Sequence, residues 1–167
     1  MPRLFSLLSR ICIILAALGW SVTYAFADEP MVIAVIVSNN EEIAPVNSLA
    51  ANELRLIYWR KKEYWQGGQR IQPANLHAEH PLRLLFSKTV LSNLPKAQTD
   101  YWNELYFHGI RPPRSVQSEE AMIRYVADTK GSIGYVDACH VDKRVQSILW
   151  IRNDHITNEA PEYLNCK

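Results

Sequence analysis

Glycine, cysteine and methionine are scarce in this chain, and net charge is almost absent. In 167 residues there are six glycines, three cysteines and three methionines, and 18 basic against 17 acidic side chains leave +1 with histidine neutral. Each shortage excludes something. The glycines fall at positions 19, 67, 68, 109, 131 and 134, so no Gly-rich loop is available to cradle a nucleotide phosphate. A near-balanced charge lacks the basic stripe of a nucleic-acid-binding protein. No nucleophile elbow is present, and no metal signature stands out. Internal repeats and low-complexity tracts are missing too, and the length suits one domain.

What is present begins with a targeting segment. Arg3 and Arg10 make a basic start, Ile11 to Trp20 an apolar centre, and Ala25-Phe26-Ala27 a small-x-small cleavage site before Asp28. The strongly apolar run is shorter than the roughly 20 residues that span a bilayer. Cys12 lies inside the segment rather than just after the cleavage site, which argues against a lipoprotein anchor. The expectation is a signal peptide over 1–27, a periplasmic location after cleavage behind Ala27, a domain over 28–151 and a tail over 152–167. Loss of Arg3 and Arg10 takes the balance from +1 to −1. Cys139 and Cys166 then remain in an oxidising compartment, where a disulfide between them would tie the tail to the domain.

The order of elements follows from periodicity. Residues 31–37, Met-Val-Ile-Ala-Val-Ile-Val, form a continuous apolar run rich in β-branched residues, predicting a strand buried on both faces. Ser48 opens a short helix with Leu54, Ile57 and Tyr58 at three-and-four spacing, ending near Trp59; Gly67-Gly68 then makes a turn. Residues 71–76 read as a short strand that Pro73 demotes to an edge or an irregular extended segment. Pro81 suits a first helical position, and Leu82, Leu85, Phe86, Thr89 and Val90 draw one apolar face. A further helix over 96–107 is predicted to carry Tyr101, Trp102, Leu105 and Tyr106 inward, with Gly109 stopping it. After the stiff Pro112-Pro113 link comes a helix over 119–129, capped by Ser118, with Glu119 and Glu120 in its first turn and Met122, Ile123 and Val126 on its apolar face. Gly131 ends it and Gly134 permits close packing. Residues 133–136 and 145–150 supply two more strands, and the tail reads as loose unless the cysteines pin it. Strands alternating with helices predict an α/β layered domain.

Four segments in order carry a resemblance: Ile33-Ala34-Val35-Ile36-Val37-Ser38-Asn39, Leu54-Arg55-Leu56-Ile57-Tyr58, Trp65 with Gly68, and Gly131-Ser132-Ile133-Gly134-Tyr135-Val136. Together they resemble periplasmic solute-binding proteins of the phosphate ABC transporter family, in a short single-domain form, over about 32–138. The resemblance implies a three-layer, type 2 periplasmic-binding-protein-like fold, a mixed sheet flanked by helices, with the first strand of the N-terminal lobe and its hydroxyl-bearing loop missing. Members of that family hold phosphate between two lobes through hydroxyls and backbone N–H groups at helix starts, with an arginine as counter-charge. Here the matching loop is Leu76-His77-Ala78-Glu79-His80-Pro81. Glu79 puts a carboxylate where the anion would sit, and Pro81 removes a donor.

The candidate binding residues are Ser38, Asn39, His77, Arg83 and Arg111. Ser38 and Asn39, with Asn40, close the first strand, and ligands of open α/β sheets sit at carboxyl ends of strands. Arg83, Arg111 and Arg114 offer fixed guanidinium forks to an anion, although surface arginines are common. His77, Glu79 and His80 have the chemistry of a partial metal site, set against an ordinary solvated loop, and no third strong ligand accompanies them. Arg60-Lys61-Lys62 beside Tyr58, Trp59, Tyr64 and Trp65 suits an acidic or glycan partner, or equally a normal domain rim. The resulting expectation is an exported, non-enzymatic, monomeric module without cofactor. It would take a small anion such as phosphate, or alternatively would have lost small-molecule binding and serve a transporter or sensor in the membrane.

Overall fold

The computed structural model describes residues 31–40 and 46–166. The targeting segment read over 1–27 lies outside the described residues. Among those described, no helix is long and apolar enough to cross a membrane.

Six strands and four α-helices form the domain: β1 (Ile33–Ser38), α1 (Ala51–Tyr58), β2 (Gln72–Leu76), α2 (Pro81–Leu91), α3 (Thr99–Phe107), β3 (Arg114–Val116), α4 (Glu119–Asp128), β4 (Ser132–Asp137), β5 (Val145–Arg152) and β6 (His155–Thr157). The strands make one mixed sheet in the order β3-β2-β4-β1-β5-β6. Its apolar start is its centre. Ile33 to Val37 are all 0% exposed, because β1 lies antiparallel between β4 and β5 and both of its faces are covered.

The three layers follow from alternation along β4. Successive side chains of a strand point to opposite faces. Tyr135 stacks flat on Phe86 of α2, ring centroids 4.0 Å apart, and both meet Tyr58 of α1. Its neighbour Gly134 faces the other way, toward Met122 and Val126 of α4. So α1 and α2 cover one face and α4 the other. A Cβ on Gly134 would run into Met122 Sδ and stand 2.9 Å from Val126 Cγ2, so α4 can approach the sheet this closely only over a glycine.

Local chemistry sets the element ends. Ser118 Oγ accepts the Ala121 N–H at 3.2 Å and caps α4. Gly131 has φ +76°, and a Cβ there would meet the Arg70 carbonyl. Its own carbonyl accepts from the Trp65 indole at 3.0 Å and from the Gln72 amide at 3.0 Å, so this one residue joins three segments.

Several elements differ from the sequence reading. Ser48 does not open α1; the helix starts after Ala50, whose amide donates to Glu53 at 3.3 Å, the carboxylate reaching back from the first turn. Pro73 does not place β2 at the edge. The strand lies between β3 and β4, and the β3 ladder begins only at Ala74 paired with Arg114, just past the missing donor. The helix expected over 96–107 divides into a 3-10 turn, Pro95–Gln98, and α3. No α3 residue is buried, and Tyr106 is 62% exposed. Tyr101 and Trp102 instead pack on Trp59 beyond the end of α1, and the Tyr101 hydroxyl donates to the Trp59 carbonyl at 2.7 Å.

The tail is not loose. Asn153 and Asp154, both at positive φ, form a two-residue turn from β5 to β6, a conformation that Asn and Asp tolerate. Farther on, Asn158 Nδ2 donates to the Leu49 carbonyl at 3.1 Å, and a disulfide joins Cys166 to Cys139, Cα atoms 5.4 Å apart.

Candidate functional site

β2, β3 and β4 run parallel, so the carboxyl ends of these strands lie together, and the chain turns there into α2 after β2 and into α4 after β3. This is the end of an α/β sheet at which helix starts present unpaired N–H groups to a ligand. His77, His80, Glu119, Asp137 and His140 occupy it.

Both helix starts are closed by the protein's own groups. On α2, Pro81 has no N–H, and His80 Nδ1 accepts the Leu82 N–H at 3.2 Å. On α4, Ser118 takes the Ala121 N–H. Glu119, the first residue of α4, then turns its carboxylate onto the end of β4. Oε2 accepts the Asp137 N–H at 2.6 Å and contacts His140 Nδ1 at 3.0 Å. The negative charge favoured at a helix start is therefore supplied from within.

The electrostatics agree with this arrangement. The hydrogen bond that His140 donates to Glu119 raises the His140 pKa above the ordinary imidazole value. Burial holds the His80 pKa below it, with His77 adding to the effect and Glu119 opposing it. The His77 and His80 rings meet edge to face, centroids 5.3 Å apart, while Glu79 is exposed. No group of three or more His, Cys, Asp or Glu residues is arranged to hold a metal ion among the described residues.

Behind the α2 start lies a buried polar cluster. The Tyr135 hydroxyl donates to Asn75 Oδ1 at 3.2 Å and accepts the Leu76 N–H at 3.3 Å; Tyr58 donates to the Ala74 carbonyl at 3.0 Å. Burial pushes the Tyr135 pKa up to about 12, partly offset by the Arg83 charge. Arg83 is only 6% exposed, donates through Nη2 to Gln98 Oε1 at 3.3 Å, and keeps a buried Nη1 without a hydrogen-bond partner. No carboxylate pairs with it among the described residues.

The five candidate binding residues divide between the two ends of the sheet. His77 and Arg83 belong to the end just described. Ser38 and Asn39 close β1, which runs antiparallel to β4, and so lie at the opposite end. Ser38 Oγ donates to the Ala127 carbonyl in the last turn of α4 at 3.2 Å and accepts the Asn40 N–H. Asn39 Nδ2 donates to the Lys143 carbonyl at 3.1 Å. A helix C-terminus carries the negative end of the dipole, so Ser38 fits the role of satisfying that terminus. Arg111 lines a separate cavity at this second end. Sequence reading missed Glu119 as part of a site because its position in a first turn already accounts for it, and nothing local to Glu119 announces Asp137 and His140. It equally missed Arg70 and Tyr125, which line the cavity of Arg111 together with Arg60, a residue weighed in sequence only as part of the Arg60-Lys61-Lys62 cluster.

No protein-family model matches the sequence, and no curated protein sequence matches it either. Solved structures do match the fold. A putative phosphate ABC transporter substrate-binding protein from Clostridium perfringens, solved with bound phosphate, aligns with TM-score 0.57 at 18% identity, over 72% of this chain and 45% of that one. An ABC-type phosphate transport receptor from Vibrio cholerae aligns with TM-score 0.58 at 20% identity, over 72% and 46%. PstS from Borrelia burgdorferi aligns with TM-score 0.53 at 15% identity, over 72% and 48%. This chain spans less than half the length of each of these proteins. Its mixed six-stranded sheet with flanking helices thus has the fold of part of a phosphate-transport substrate-binding protein.

Proposed function

We propose that the protein is an exported, non-enzymatic recognition module built on the substrate-binding-protein fold, in which the phosphate-type end of the sheet is closed by the protein's own groups. It serves the cell envelope by contact with a membrane transporter or sensor rather than by carrying phosphate. The observation that carries this reading is the Glu119 carboxylate bonded to the Asp137 N–H and to His140, with His80 and Pro81 closing the neighbouring helix start. A phosphate brought there would meet a fixed carboxylate and too few donors. Titration calorimetry of the exported domain with inorganic phosphate tests it. The expected result is no saturable one-to-one binding in the micromolar range; micromolar binding that disappears in Arg83→Gln would overturn the reading.

One observation favours a second reading, capture of a small anion such as phosphate at this same end. Arg83 is a buried cation with one unpartnered Nη and no carboxylate paired with it among the described residues, and such a group gains from an anionic partner. The same titration separates the two, because a ligand at 100 times its dissociation constant stabilises a protein by about 2.7 kcal/mol.

A further inference from the structure

At the amino-terminal ends of β2 and β3, the end of the sheet opposite the one Glu119 closes, lies an open cavity of about 690 Å³. Three segments place four guanidinium groups on its wall: Arg60 just past α1, Arg70 shortly before β2, and Arg111 and Arg114 in the link to β3 and at its first residue. Glu63 is the only carboxylate among the lining residues.

Arg60 is partly accounted for by the fold. Its side chain is 10% exposed and donates to the Ile71 carbonyl at 3.3 Å and to Glu63 Oε1 at 3.4 Å, leaving a buried Nε without a partner. Its position past the end of α1 also suits the negative end of that helix. Arg70, Arg111 and Arg114 have no such account: none is paired with a carboxylate among the described residues. The Arg114 guanidinium carbon lies 5.3 Å from the Tyr125 ring centre, within cation–π range. Burial raises the Tyr125 pKa, and the charges of both Arg114 and Arg60 oppose the rise.

We infer that this cavity is a binding site for an organic polyanion, a small molecule bearing two or more carboxylate or phosphoryl groups on a carbon skeleton. The volume falls within the roughly 300–1,000 Å³ of small-molecule pockets and is spacious for a lone inorganic anion. Cations arriving from separate segments match acidic groups spaced along one ligand, and a guanidinium fork grips each in bidentate fashion. Pro112, Pro113 and the Tyr125 ring give the skeleton an apolar wall. The site shares no residue with the end closed by Glu119, so it stands whether or not that end admits phosphate.

Titration calorimetry with citrate, pyrophosphate and inorganic phosphate tests this on the exported domain, dialysed against a chelator and at low salt. Citrate or pyrophosphate, the former reporting carboxylate and the latter phosphoryl recognition, is expected to bind one to one and at least tenfold more tightly than phosphate. Arg111→Gln and Arg114→Gln, both at exposed positions, are each expected to weaken that binding about tenfold with circular dichroism unchanged. Glu119→Gln is expected to leave it untouched. Absence of saturable binding by both polyanions, binding unaltered in both arginine variants, or phosphate bound as tightly as either polyanion would each overturn the inference.

Discussion

Glu119 Oε2 lies 3.0 Å from His140 Nδ1 and 2.6 Å from the Asp137 amide, so one carboxylate oxygen holds both the end of β4 and the imidazole after it. Because the folded-state pKa of His140 is raised, the folded protein binds that proton more tightly than the unfolded chain. This contribution is complete below the unfolded value of about 6.5 and disappears as pH rises through the folded pKa. His140→Gln should therefore cost more stability at pH 5.5 than at pH 8.5. Urea unfolding of both proteins at the two pH values checks this, and equal differences would refute it. His80 acts with opposite sign: its lowered pKa contributes stability above about 6.5 that is lost as pH falls, so the single variant, not the raw pH profile, isolates His140.

Gly134→Ala should destabilise by about 1–3 kcal/mol, since the added methyl must displace Met122 and Val126 in a packed layer. Pairing it with Met122→Ala, which vacates that space, should recover part of the loss. Chemical denaturation of the two single variants and the double variant measures the coupling; strict additivity would show that the two residues do not compete.

Tyr135→Phe keeps the stack on Phe86 but strips Asn75 Oδ1 and the Leu76 N–H of their shared partner. Two buried polar groups without partners predict a loss of about 1–3 kcal/mol. A melting temperature within a degree of the parent would show that the hydroxyl is dispensable.

Reduction of the Cys139–Cys166 bond, or Cys166→Ser, should lower stability by about 3 kcal/mol, the scale for a loop of this order. Chymotryptic cleavage at Tyr163 or Leu164 should then accelerate, because the bond ties residues beyond β6 to the turn after β4. Unchanged cleavage without the bond would mean that the Asn158 contact alone holds that segment.

Ser38→Ala should act on stability and not on anion binding. It removes the hydroxyl that donates to the Ala127 carbonyl, a loss of about 1 kcal/mol. If an anion response measured for the parent vanished in this variant while its unfolding curve did not move, the ligand role read from the strand end would be supported instead.

Which parts of the fold can be read from sequence depends on whether the decisive interaction is local. The run Ile33 to Val37 could only be a strand covered on both faces, and β1 is the buried centre of the sheet. Ser118, Gly131 and the stripe Met122, Ile123, Val126 mark α4 and its exit because caps and helical faces are written within a few residues. The aromatic residues of α3 misled for the opposite reason: helical spacing says that they share a face, but only tertiary packing decides that the face meets Trp59 at a rim instead of the sheet. Pro73 was judged by the donor that it lacks, whereas the position of its neighbour β3 decides whether that donor is needed. How the candidate site residues group was not legible at all, since strand direction separates Ser38 and Asn39 from His77 and Arg83, and direction is a property of the sheet and not of any segment.

The central position of β1 also governs when this chain can fold. The partners of Ile33 are Asp137 and Ile151, so the innermost strand has nothing to pair with until nearly the whole polypeptide is available. Closure of so long a loop precedes the contacts that reward it, and topologies of this kind fold slowly. A chain emerging from its N-terminus keeps its most apolar strand unpaired through most of its own synthesis.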